Sequence, residues 1–157
     1  MFKVRGRFDV RMDAKGRLPL PARLREKLAA SGDPRLVLAA WDGGLQGFTA
    51  GRWAAMERRF AGVSMFDAAS RDFLLAYVAS AAEVAPDKAG RINVPPPLRR
   101  RAGLDRDCVV VSFLGVLEIW SAERFEARHA RAVAQVTELG PPPGVLVFDP
   151  DEFEGDL

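Results

Sequence analysis

The sequence predicts an α+β fold in which two copies of one short module share a single core, and three observations predict it. The segment DAKGRLPLPARLREKLAA at Asp13–Ala30 returns, 74 positions later, as DKAGRINVPPPLRRRAGL at Asp87–Leu104. The likeness resumes at a spacing of 72 between Leu45–Trp53 and Leu117–Phe125. Within each copy, short runs with strand character alternate with runs of helical spacing. A unit of about forty residues buries little apolar surface by itself, so the two copies are expected to interlock rather than to stand as separate beads. The expected organisation is a first repeat at 5–54, connecting helices at 55–79, a second repeat at 80–125, a C-terminal helix at 126–139 and a Pro-rich acidic tail at 140–157.

The elements come in order. Val4–Met12 alternates Val4, Phe8, Val10 and Met12 with Arg5, Arg7, Asp9 and Arg11, the period-two pattern of a half-buried strand. Asp13-Ala14-Lys15-Gly16 then reads as a turn. Its aspartate can accept bonds from backbone N–H groups ahead of it, and Gly16 can take the positive φ that closes a hairpin. Arg17–Leu20 is the returning strand. Pro21 opens a short helix with Leu24 and Leu28 four residues apart, ending near Ser31-Gly32. Leu36–Ala40 and Leu45–Phe48 form a second hairpin through Asp42-Gly43-Gly44. The second copy repeats this order, with a turn at Asp87–Gly90, a strand at Arg91–Val94 and a helix from Pro96 or Pro97 to Ala102. Strands near Val109–Phe113 and Val116–Trp120 complete it. Between the copies, Arg52–Phe60 and Asp67–Ala82 have helical spacing. Phe73, Leu74, Tyr77 and Val78 form an apolar stripe on the second of these, expected to supply contacts between subunits. Ala122–Val136 is the helix of copy two that corresponds to the one beginning at Arg52. Gly140-Pro141-Pro142-Pro143-Gly144 breaks it, and Val145–Phe148 is apolar enough to dock elsewhere.

Composition narrows the function. The chain of 157 residues is 48% hydrophobic and 28% charged, the balance of an ordinary soluble domain. No apolar run reaches a membrane-spanning length, and MFKVRGRFDV lacks the apolar stretch of a signal peptide, so a cytoplasmic protein with no membrane partner is expected. One cysteine, Cys108, excludes an intrachain disulfide and any multi-cysteine zinc site, and its setting before Val109-Val110-Val111 is that of a buried strand position. The net charge of +2 hides an asymmetry. Residues 138–157 hold six acids and no Lys or Arg, leaving 23 bases against 15 acids, or +8, on the rest. An arginine-rich body of that kind favours a polyanionic partner.

Chemistry concentrates at the two turns. Each carries Asp-x-x-x-Arg: Asp13 with Arg17, and Asp87 with Arg91. A projecting turn can enter a DNA groove, and arginine offers paired donors to guanine O6 and N7 or to phosphate oxygens. The aspartates, repelled by phosphate, are expected to shape the turn or orient the arginine. The tips are not equivalent: copy one has Lys15 before its glycine, whereas copy two has Ala89 there and carries Lys88 one position earlier.

The duplicated Asp-x-x-x-Arg turn, the strand and proline after it, the Pro-x-x-Leu-Arg that ends on Arg25 and Arg99, and the order of elements together resemble the MraZ family, whose members carry two SpoVT-AbrB-type DNA-binding repeats. The resemblance covers Met1 to about Val136 and stops short of the acidic tail. It implies a β-barrel-like core built from two pseudo-symmetric, swapped-hairpin units with flanking helices. It also implies a nucleoid-associated transcriptional regulator that assembles into a ring and binds repeated boxes of double-stranded DNA upstream of the division and cell-wall gene cluster. The candidate DNA-binding residues are Asp13, Lys15, Arg17 and Arg25 in copy one and Asp87, Lys88, Arg91 and Arg99 in copy two, with Gly16 and Gly90 setting turn geometry.

Three other readings compete: an enzyme, a protein-binding module, and a purely structural ring protein, which a DNA shift assay at moderate salt would separate from the regulator. An enzyme is disfavoured: the one histidine, His129, lies in a polar helix beside Arg128 and Arg131, and no nucleophile–base set, metal cluster or phosphate-binding glycine loop is present. No catalytic residue, metal, cofactor or small-molecule substrate is expected. An AbrB-like antitoxin or other protein-binding module would keep the fold and use the tail to hold a partner, but such antitoxins usually carry one repeat and dimerise. The basic run Arg124, Arg128 and Arg131 reads as a solvated helix face.

Overall fold

The structure, a computed structural model, describes residues 4–145. The apolar part of the Val145–Phe148 segment beyond Val145 and the rest of the acidic tail lie outside the described residues. The elements are β1 (Gly6–Arg11), β2 (Arg17–Pro19), α1 (Ala22–Ala30), β3 (Leu36–Trp41), β4 (Gly44–Thr49), α2 (Ala50–Phe60), α3 (Ala68–Phe73), β5 (Ala82–Val84), β6 (Arg91–Asn93), α4 (Pro96–Ala102), β7 (Asp107–Phe113), β8 (Val116–Ser121) and α5 (Ala122–Leu139). The fold is therefore mixed α+β, and β2-α1-β3-β4-α2 has its counterpart in β6-α4-β7-β8-α5. Two units divide the chain, Met1–Phe125 and Glu126–Leu157.

In the first unit, six antiparallel strands run in the order β1-β7-β8-β4-β3-β5, and β2 pairs with β6 in a separate two-stranded ribbon. Copy one thus contributes β3 and β4, copy two β7 and β8, and the two hairpins join through β4 and β8, with Leu45 opposite Ile119. β1 and β5 stand at the two ends of this order.

The pairing of the first strands departs from the sequence expectation. The strand before Asp13 and the strand after Gly16 were expected to form one hairpin, yet β1 pairs with β7, placing Phe8 opposite Val110 and Val10 opposite Cys108, while β2 pairs with β6. Length and proline account for this. β7 offers β1 six partner positions, whereas β2 carries Pro19, which has no N–H to donate, and is cut off by Pro21, so its ladder is three residues long. Its apolar residues meet their equivalents in the other copy: Leu18 lies opposite Ile92, and both are fully buried.

One core fills the space behind the ribbon. Leu18, Leu20, Leu24 and Leu28 of copy one pack with Ile92, Val94, Leu98 and Ala102 of copy two and with Leu36, Leu38, Val110 and Ile119 of the sheet. Burial removes most of each side chain from water, at roughly 25 cal/mol per Å². Cys108 belongs to this core at 2% exposure, and burial, followed by the nearby Asp107 and Asp105, pushes its thiol pKa up to about 11.

The opposite face of β3 builds a second, aromatic core. Val37, Ala39, Phe48, Trp53 and Tyr77 are buried together, with Phe60, Phe73 and Val78 against them. Here the expected helix at Asp67–Ala82 needs correction. Asp67 caps α3 through its carboxylate, but the helix passes into a π-helical turn at Leu74–Val78, and Ala82 already belongs to strand β5 against Leu38. Tyr77 lies within that turn and faces inward, stacking on Phe73 at 5.3 Å and donating its hydroxyl to Gln46 Oε1 at 2.8 Å. Of the stripe expected to join subunits, Tyr77 is spent inside the unit at 5% exposure, while Phe73, Leu74 and Val78 are partly buried. Sequence periodicity could mark the stripe but not distinguish an interface from a second core on the far side of a sheet that is covered on both faces.

Arg124 also departs from expectation. Although exposed, its Nη1 donates to the carbonyls of Gly43 and Arg101, tying the start of α5 to the β3–β4 turn and to α4. The second unit comprises the later turns of α5 and the segment after it, with Val133, Val136 and Leu139 exposed along the helix.

Candidate nucleic-acid interface

The two Asp-x-x-x-Arg turns have the same construction. In the first, Asp13 Oδ1 accepts from the backbone N–H of Lys15 at 3.0 Å and of Arg17 at 2.9 Å, and Oδ2 accepts from Arg17 Nε at 2.6 Å. In the second, Asp87 Oδ1 accepts from Ala89 N–H at 2.9 Å and Arg91 N–H at 3.0 Å, and Oδ2 accepts from Arg91 Nε at 3.1 Å. Each turn is closed by the glycine N–H donating to the aspartate carbonyl. These bonds are strongest to an ionised carboxylate. They hold Asp13 and Asp87 below the usual value of 3.8, with the backbone N–H of the arginine as the largest cause in both.

The aspartates therefore shape the turn and orient the arginine at once. With Nε engaged, each guanidinium is fixed at one edge, which cuts the rotamer freedom it would lose on meeting a ligand. Arg17 and Arg91 are each 35% exposed. Lys15 and Lys88 are exposed at the turn tips.

The ribbon brings the two arginines together. Arg17 is opposite Asn93 and Arg91 opposite Pro19, so alternation places Arg17 and Arg91 on the same face, away from the buried Leu18 and Ile92. They are diagonal neighbours, a relationship that in antiparallel pairs spans roughly 7–8 Å between backbones. Each turn is also fastened to the other copy: Leu20 N–H donates to Gly90 O at 3.0 Å, and Val94 N–H donates to Gly16 O at 2.9 Å.

Arg25 and Arg99 occupy a different place. Gly16 and Gly90 are buried with φ of +84° and +77°. A Cβ built on Gly16 would stand 2.6 Å from Arg99 Cζ, and one built on Gly90 would overlap Arg25 Cδ and Nη1. Arg25 Nη1 also donates to Ala89 O at 3.4 Å. Arg99 Nε is buried with no hydrogen-bond partner among the described residues. Each arginine thus covers the turn of the opposite copy. Sequence spacing could not reveal this crossing, because Arg25 precedes Gly90 by 65 positions and nothing local links them.

Among the described residues no cluster of three or more His, Cys, Asp or Glu side chains could hold a metal ion, and no helix is long and apolar enough to cross a membrane.

The model of the MraZ family, described as "MraZ protein, putative antitoxin-like", matches residues 4–76 and 78–138. The chain belongs to the MraZ family. The family's two matched regions meet at Tyr77, between the two turns, consistent with a repeat in each half. A protein named transcriptional regulator MraZ from Ligilactobacillus salivarius is 39% identical over 122 residues, which cover 78% of this chain and 83% of its own. MraZ relatives of the same name from Lactiplantibacillus plantarum and from an Anaeromyxobacter species are 34% and 35% identical, covering 85% and 82% of this chain and 93% and 90% of theirs.

Proposed function

We propose that this chain is a sequence-specific DNA-binding transcriptional regulator that uses its two Asp-x-x-x-Arg turns as one composite reading head. The observation that carries the reading is the convergence of Arg17 and Arg91, each oriented by its own aspartate, on one face of the β2–β6 ribbon. A two-stranded ribbon fits the major groove, and a guanidinium held at its Nε edge keeps donors for guanine or phosphate. Lys15 and Lys88, at the tips, supply phosphate contacts that set register. Asp13 and Asp87 act by positioning. The relatives' shared name, transcriptional regulator, supports the same reading.

In this reading the repeats at 5–54 and 80–125 close into a barrel-like core of two swapped-hairpin units, and the protein works in the cytoplasm on the nucleoid without catalysis. A single reading head makes few base contacts, so affinity is built by a ring-like homo-oligomer engaging several boxes upstream of the division and cell-wall genes. The test is a titration of the Arg17→Ala, Arg91→Ala double variant against DNA chosen by selection from random sequence with the wild-type protein. Loss of specific binding by about 1–3 kcal/mol per base contact supports the reading, and unchanged affinity across salt concentrations overturns it.

A further inference from the structure

We propose that Arg25 and Arg99 are crossed positioning residues: each sets the recognition turn of the opposite repeat, so that a lesion in one repeat disables the reading arginine of the other. The proposal rests on the reading of the turns as the DNA-contacting elements, and adds to it which residues hold them in place.

Three observations carry it. Each arginine follows the buried leucine of its own Pro-x-x-Leu-Arg, Leu24 at 0% and Leu98 at 2% exposure, so its backbone is anchored in the shared core. From that anchor the side chains pass to the other copy: Arg25 lies against Gly90, and Arg99 against Gly16, close enough that neither glycine has room for a Cβ. Arg25 additionally donates to Ala89 O, the carbonyl just before the glycine it covers. The crossing is reciprocal, and it runs beside the equally reciprocal bonds from Leu20 and Val94 to the two glycine carbonyls.

The consequence for recognition is geometric. Gly90 lies immediately before Arg91, and Gly16 immediately before Arg17. A side chain laid over the glycine restricts the peptide whose rotation would swing the neighbouring arginine away from its aspartate. Arg25 achieves this partly with its aliphatic stem, since Cδ is one of the atoms in contact, whereas Arg99 uses the guanidinium itself. The two covers are therefore unequal, and the stem of Arg25 can be imitated without charge.

The experiment is a set of double-variant cycles in the full-length protein, read as affinity for selected DNA over a range of salt. Arg25→Ala is expected to weaken binding about tenfold with the salt slope unchanged, because no phosphate contact is lost. Combined with Arg91→Ala it should add almost nothing, since the turn it serves is already disabled, whereas combined with Arg17→Ala the losses should multiply. Arg99→Ala should behave in mirror image, sub-additive with Arg17→Ala and multiplicative with Arg91→Ala. Arg25→Met, which keeps the stem, should recover most of the loss. Without DNA, Arg25→Ala should shift the amide resonances of Ala89, Gly90 and Arg91 and leave those of Lys15 and Gly16 in place. Multiplicative losses with both reading arginines, a salt slope lower by about 0.9 and no rescue by methionine would make Arg25 a phosphate ligand and overturn the proposal. If the Arg17→Ala, Arg91→Ala protein binds as wild type, the DNA reading itself fails, and the amide shifts decide the positioning claim alone. Unmoved resonances at 89–91 in Arg25→Ala overturn it.

Discussion

Arg25 lies over Gly90 so closely that a methyl group on the glycine would stand 2.3 Å from its Cδ and Nη1 atoms. Two costs therefore meet at that position, the left-handed backbone at φ +77° and the displacement of the arginine. Gly90→Ala is expected to lower stability by about 1–2 kcal/mol from the backbone alone, with a further loss from the arginine. In an Arg25→Ala background the second part should vanish while the first remains. Urea denaturation of the four proteins measures both, and equal costs in the two backgrounds would show that the arginine yields freely.

The carboxylates of the two turns make the recognition face insensitive to mild acid. Both are held below 3.8 by bonds that favour the charged form, so their contribution to the folded turn is complete above that value and is lost as the pH falls beneath it. The amide shifts of Lys15, Arg17, Ala89 and Arg91 should stay constant from pH 7 to pH 5 and move together only below 3.8. Movement near pH 5 would mean that the carboxylate bonds do not persist in solution. Asp13→Asn should weaken DNA binding without reducing the salt slope, which band-shift titration at several ionic strengths will show.

Tyr77 is the one tyrosine in the chain, so phenolate absorbance reports it alone. Burial raises its pKa from 10.0 to about 12. Stability that depends on the neutral phenol is intact below pH 10.0 and is lost as the pH rises towards 12. A spectrophotometric titration should show little phenolate at pH 10.5, followed by a steep rise accompanied by loss of near-ultraviolet circular dichroism. A smooth titration centred at 10.0 would place the ring in water.

Removing residues 140–157 deletes five acids and no base, taking the net charge from +2 to +7. Non-specific affinity for duplex DNA at low salt should rise, and the difference should fade as salt screens it. Identical isotherms for the two proteins would deny the tail any electrostatic role.

Much of the local structure was legible in the residues, and most of the long-range structure was not. The helix after Pro21, the β3–β4 turn at Asp42-Gly43, the buried Cys108 and the positive φ of Gly16 and Gly90 all arise from local chemistry that spacing displays. Which strand β1 would choose does not, because the Asp13–Gly16 turn is compatible with a hairpin and only the competition between β2 and β7 settles the pairing. β5 was hidden for a related reason: Ala82 falls at the end of the helical pattern, and Ala82-Glu83-Val84 is too short to show a strand until β3 recruits it. The aspartate–arginine pairs were visible as a motif, whereas Arg25 and Arg99 carried no sign that their contacts lie in the opposite copy.

The bonds from Leu20 to Gly90 and from Val94 to Gly16 also set the order in which the chain can fold. A nascent polypeptide that ends before Gly90 has no partner for β2, no acceptor for Leu20 and no cover from Arg99 on its first turn. At synthesis rates of about 5–20 residues per second, the first repeat waits several seconds with Leu18, Leu20, Leu24 and Leu28 still to be buried. Both turns are completed only once the second ribbon strand has emerged, so a ribosome stalled between the repeats would carry a half with these leucines uncovered rather than a working one.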